Sequence, residues 1–229
     1  MSPMPYYVSP EQLMKDRADY ARKGIARGKS ILAIEGAEGI MLVAENPSST
    51  LHKVSELYDR VAFCAVGKYN EFESLRIAGV RLADMRGFMY GREDVTAKSI
   101  ANAYAQALGN IFTQEMKPYE VELMVAQLGE DQTTDELYHI LYDGTVVDRQ
   151  GFVAMGGQAE ALVATLNEQY REGLTFDEAL QLGTQALAGT DPTRTLATEN
   201  LEVAVLDRSR PRRAFRRLAD PDVARVLGG

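Results

Sequence analysis

The sequence predicts an α+β fold: a four-layer α/β/β/α sandwich in which two antiparallel sheets are stacked between layers of helices. Three observations predict it. Strand-like runs come in blocks and alternate with paired helical patterns, which suits stacked antiparallel sheets and not the strict strand–helix alternation of a parallel sheet. Two of those runs, 30–35 and 39–45, are separated by Gly36-Ala37-Glu38, the spacing of a hairpin with a short glycine-containing loop. No long linker and no repeat of solenoid period divides the 229 residues, and a chain of this length with 45% hydrophobic content can bury one substantial core. A single domain over 9–229 is expected, preceded by a short segment, 1–8.

Ser9-Pro10-Glu11-Gln12 reads as a helix start: Ser9 can cap, Pro10 suits the first helical position and Gln12 completes a capping box. The helix runs to about Lys23, with Met14, Ala18, Ala21 and Ile25 on one apolar face. After the hairpin, a short strand near Lys53-Val54 and the run from Val61 to Val66 extend the sheets. Two long helical patterns follow, 71–86 and 96–116, broken by Gly87, Gly91 and Arg92-Glu93-Asp94, and Pro118 ends the second. Strand character returns at 121–128, 137–142 and 151–154, with Asp143-Gly144 as a turn before the last of these. Helices over 158–170 and 175–187, a loop over 189–198, a strand over 201–207, an arginine-rich stretch and a short helix near 223–227 complete the order.

Composition excludes several function classes. A formal charge of -8 leaves no cationic surplus for a general phosphate binder, so nucleic acid is not expected as a partner. The lone cysteine, Cys64, sits in an apolar run and cannot form an internal disulfide, which fits a reducing compartment. No signal-like start and no apolar run near ~20 residues is present, so a cytoplasmic protein without a membrane partner is expected. His52 and His139 lack companions at metal-ligand spacing, and no metal or other cofactor is expected. Gly28-Lys29-Ser30 looks like the end of a phosphate loop, but Gly24 lies one residue too close and the motif leads into a strand, not a helix. Gly156-Gly157-Gln158 reads as the tight turn that starts a helix. No Gly-x-Ser-x-Gly elbow occurs. The arginines at 208, 210, 212, 213, 216 and 217 are expected to form intersubunit ion pairs or a solvated face, given the acidic chain around them.

A resemblance adds to this reading. Ser9-Pro10-Glu11-Gln12 followed by Tyr20-Ala21-Arg22-Lys23-Gly24-Ile25-Ala26-Arg27-Gly28-Lys29-Ser30 resembles the first helix and first strand of proteasome alpha subunits. Glu45-Asn46-Pro47-Ser48, the segment from Lys53 to Arg60, the segment from Lys117 to Leu123, Met155-Gly156-Gly157 and the segment from Arg210 to Arg217 resemble the actinobacterial branch. These fragments span nearly the whole chain in order. The resemblance implies the N-terminal-nucleophile hydrolase sandwich, with an extra N-terminal helix across the cleft that is open in catalytic subunits. It also implies a non-catalytic subunit: the beta subunits carry a threonine whose own amine is the base, whereas Ser30 here is preceded by a helix and has no free amine. The competing reading, a self-processing hydrolase with Ser30 as nucleophile, predicts a mature chain that begins at Ser30.

The same resemblance implies a homo-heptameric alpha ring stacked on beta subunits, with a ring-shaped AAA ATPase or an ATP-independent activator as further partner, and unfolded or pupylated proteins as substrates in transit. The gate falls on 1–8, with Pro3, Pro5, Tyr6, Tyr7 and Val8 as its residues, and Ser9, Pro10 and Tyr20 as the turn and helix that support it. Archaeal and eukaryotic relatives carry Tyr-Asp-Arg before this helix, where this sequence has Tyr6-Tyr7-Val8. Lys53, with Gly28, matches the pocket that receives an activator's C-terminal carboxylate, for which an ammonium is suited by a charge-assisted hydrogen bond. Without the resemblance, Lys53 reads as a surface lysine beside Glu56.

Overall fold

The computed structural model describes residues 8–189 and 196–228. Apolar side chains alternate along the strands with a period of two, so each strand offers one face to a partner sheet and one to helices. The first sheet has the order β10(Phe215–Arg217), β9(Leu201–Asp207), β2(Gly39–Glu45), β1(Ile31–Gly36), β8(Phe152–Met155). The second has the order β3(Val54–Tyr58), β4(Val61–Gly67), β5(Val121–Gln127), β6(Glu136–Ile140), β7(Val146–Arg149). Every pairing is antiparallel, and β1 and β2 form the expected hairpin with Gly36 opposite Gly39.

Three apolar layers follow from the alternation. Ile31 and Ala33 of β1, Ile40 and Leu42 of β2, Ala62 and Cys64 of β4 and Met124 of β5 meet between the sheets. Leu32, Ile34, Met41 and Val43 face the other way, onto α4(Ala159–Gln169), α5(Phe176–Ala188) and α6(Asp220–Leu227). Phe63, Ala65, Leu123 and Val125 pack against α2(Tyr69–Met89) and α3(Ala97–Gln114). The result is the helix–sheet–sheet–helix order that the strand blocks predict. Cys64 fills space in the inter-sheet layer, fully buried.

The first helix, α1(Pro10–Ile25), caps one end of the inter-sheet layer with Ala21 and Ile25. Ser9 accepts a hydrogen bond from the Gln12 backbone N–H. The capping box is not completed, because the Gln12 amide reaches Asp16 at 2.7 Å instead of turning back to Ser9. Met14 is exposed, so the buried stripe is shorter than its spacing predicts. Arg17 fixes the helix from the side by donating to the carbonyls of Phe112 (2.7 Å) and Glu115 (2.6 Å) at the end of α3.

Two strands escape the sequence reading. Residues 146–149, between the Asp143-Gly144 turn and the expected strand at 151–154, form β7, and residues 215–217 of the arginine-rich stretch form β10. Both are short edge strands of mixed polarity, for which alternation is a weak signal. The arginines at 210, 212, 213 and 217 are exposed, as a solvated face requires, but the run also makes ion pairs within the chain that the sequence does not foretell. Four of the six pair with carboxylates inside the chain: Arg208 with Asp135, Arg213 with Glu56, Arg216 with Asp207 and Arg217 with Glu202. Two of these acids, Asp135 just before β6 and Glu56 on β3, belong to the other sheet, so the run ties the last strands of one sheet to the other. No helix among the described residues is long and apolar enough to cross a membrane.

Candidate functional site

The chain leaves α1 through Ala26-Arg27-Gly28 and enters β1 at Ile31, so residues 28–30 lie at the end of the sandwich that α1 covers. Gly157 donates from its N–H to the Gly28 carbonyl, and a Cβ at Gly157 would overlap the Ala26 carbonyl oxygen. Gly156, at φ +103°, makes the turn that places α4 there. The glycine pair thus starts a helix, as the sequence reads, and it also lets that helix approach the end of α1.

Ser30 is 4% exposed, and its carbonyl accepts from the Glu45 N–H in the β1–β2 ladder. It is peptide-bonded on both sides in the middle of a packed segment, so its nitrogen is an amide.

Lys53 comes to the same place from the other sheet. It precedes β3, is half-buried, and donates from Nζ to the carbonyls of Lys29 (2.8 Å) and Glu45 (3.2 Å). Burial lowers its pKa to about 8, opposed by the charges of Glu202 and Glu45 and assisted by that of Lys29. Two of its three N–H bonds are directed at main-chain oxygens, which fixes the ammonium and leaves a third for another acceptor. An ordinary surface lysine does neither. Lys29, beside Gly28, sends its own ammonium to Glu45 Oε1 at 2.9 Å.

The acid that holds this region together is Glu202, on the inter-sheet face of β9. Its carboxylate accepts from the backbone N–H groups of Lys53 (2.9 Å) and Val54 (3.2 Å) and from Asn46 Nδ2 (2.7 Å), and pairs with Arg217 and His52. Sequence reasoning missed it. The available signal is a single acid at an inward position of Leu201-Glu202-Val203-Ala204-Val205, where alternation puts Ala204 and Leu206 between the sheets.

The other candidate residues are distributed elsewhere. Gly28 is packed against Gly67, one residue from the carbonyl that Lys53 holds. Val8, Ser9 and Pro10 are exposed at the start of α1, and Tyr20 lies on the outer side of that helix under the Lys117 ammonium, 5.4 Å from the ring centroid. Lys117 in turn bridges Glu71 and Glu120. Pro3, Pro5, Tyr6 and Tyr7 lie outside the described residues. A second feature missed in the sequence is the end of α2, where Met85, Phe88, Met89 and Tyr90 are exposed, Phe88 to 92%. The unbroken apolar run between Gly87 and Gly91 was its signal. Among the described residues no three of His, Cys, Asp or Glu gather as metal ligands.

The proteasome subunit family model matches residues 25–206. The chain belongs to the proteasome subunit family. Its similarity is to the alpha-type members: it is 60% identical to the proteasome subunit alpha of Kineococcus radiotolerans, over 98% of each chain. It is 61% identical to that of Xylanimonas cellulosilytica, over 94% of this chain and 92% of the relative. To that of Geodermatophilus obscurus it is 60% identical, over 94% of this chain and 78% of the relative. Alpha subunits are in general the non-catalytic members of the proteasome. The buried, mid-chain Ser30 of this proteasome alpha-type chain agrees with that role.

Proposed function

We propose that the chain is a ring-forming subunit that controls admission to the proteasome's proteolytic chamber and anchors activators, with catalysis left to the beta subunits. Lys53 carries the reading: its ammonium is held by two main-chain carbonyls with one N–H to spare, as a receptor for a terminal carboxylate requires. Seven such sites around a ring would multiply a weak contact through avidity. Residues 1–8 then form the gate over the ring's pore, and α1, pinned by Arg17, is the support from which that segment starts. The exposed end of α2 supplies an apolar surface for a neighbouring subunit, assigned in this reading to the beta ring. The ring-shaped ATPase or ATP-independent activator, the pupylated substrates and the cytoplasmic setting belong to the same reading.

Native mass spectrometry of this chain co-expressed with the beta subunit of the same genome tests it; seven alpha copies per ring on a beta ring are expected. A persistent monomer without beta association would sink it. Lys53→Ala is expected to abolish activator-stimulated proteolysis while small-peptide cleavage continues. Stimulation should also fall as the pH rises through about 8, because the ammonium that binds the carboxylate is then lost.

A further inference from the structure

We propose that Lys29 is a second carboxylate-binding ammonium of the Lys53 docking site, held in waiting by Glu45. The inference deepens the docking reading and rests on it. Residue 29 is tied to Lys53 through its own backbone, since the Lys29 carbonyl accepts Lys53 Nζ at 2.8 Å. Its side chain, 53% exposed, reaches back to Glu45 Oε1 at 2.9 Å. Glu45 serves both lysines: its main-chain oxygen takes the Lys53 ammonium at 3.2 Å and its carboxylate takes that of Lys29.

A carboxylate has two oxygens. Lys53, with two N–H groups committed to carbonyls, has one donor for it, so the second oxygen needs another donor nearby. Lys29 is the cation on hand, close enough that its charge lowers the proton affinity of Lys53. Two ammoniums so near each other repel, and each becomes more comfortable when an anion sits between them. Glu45 provides that anion on the Lys29 side before a partner arrives. An incoming carboxylate would therefore exchange with Glu45 on Lys29 instead of meeting an unpaired charge. Lys29 is half exposed and can swing, whereas Lys53 is fixed by its carbonyls. The pair thus combines a rigid donor with a movable one, and Glu45 sets how readily the movable one is released.

The test uses the assembled particle and a fluorescein-labelled peptide copying the last ten residues of the cognate ring ATPase, made both as the free acid and as the C-terminal amide. Binding is read by anisotropy at pH 7. Lys29→Ala is expected to weaken the free acid about fivefold and leave the weaker amide unchanged, with Lys29→Arg restoring most of the loss. Glu45→Gln is expected to tighten the free acid about twofold to threefold by releasing Lys29. Wild-type affinity of Lys29→Ala for the free acid, or an equal loss for acid and amide, overturns the inference. Failure of the docking reading itself looks different: the free acid then binds neither better than the amide nor worse to Lys53→Ala particles.

Discussion

Glu35 shows how one residue can depart from the pattern around it. Position 35 continues the inward parity of Ile31 and Ala33 on β1, yet it places a carboxyl, 4% exposed, on the inter-sheet face at the far end from Ser30. Its Oε2 accepts from the Gly151 N–H at 2.7 Å, while Oε1 has no hydrogen-bond partner. Burial pushes its pKa up to about 7; the Gly151 N–H opposes this, Asp135 and Asp148 add to it, and Arg208 opposes it. The folded chain thus holds this proton more tightly than the unfolded chain, whose value is near 4.5. The stability it confers is fully present below about pH 4.5 and is lost as the pH rises through about 7. Glu35→Gln keeps an acceptor for Gly151 and removes the titration. The variant is expected to match the parent near pH 4.5 and to exceed it by about 2 kcal/mol at pH 8, read from urea unfolding at the two values. An acid in a strand of Ile31-Leu32-Ala33-Ile34 is visible in the sequence. Its burial is not, because that depends on the 151 turn arriving across the β1–β8 pairing.

At the scale of elements, hydrophobic alternation and caps made the main strands and helices legible. The hairpin of β1 and β2, the two long helices α2 and α3, and the Thr175 capping box with Glu178 that starts α5 all have local causes. Edge strands β7 and β10 do not, since their polar residues read as loop until a neighbouring strand pairs with them. Glu202 joins elements that no local pattern connects: it is 149 residues from Lys53, whose backbone it holds, and 156 from Asn46. Glu202→Ala would leave Arg217 without its carboxylate and free the segment before β3. A loss of about 3 kcal/mol is expected, measured by urea unfolding, because the buried carboxylate that pairs with Arg217 is removed and two backbone donors go unmet. The same variant should weaken activator response, since Lys53 loses the anchor of its main chain.

The whole molecule is shaped by what its sandwich must meet outside itself. Phe88 at the end of α2 touches little within the chain, so Phe88→Asp should change the stability of the isolated chain by no more than about 0.5 kcal/mol. Its expected effect is on assembly: native mass spectrometry of the co-expressed subunits should show a smaller yield of stacked rings, and an unchanged yield would remove this patch from the proposed contact. The period-two and helical patterns, the Ser9-Pro10 start and the ordered family fragments determined by themselves the four-layer class and the proteasome alpha-type kinship, because both are written in neighbouring residues. The tertiary structure alone decided that Lys53 is a fixed, half-buried donor, that Lys29 and Glu45 share its surroundings, and that most of the arginine run is spent inside the chain. Each of those outcomes depends on partners brought together from distant segments, and hydrogen-bond and charge partners at such separations leave no periodic signal along the chain.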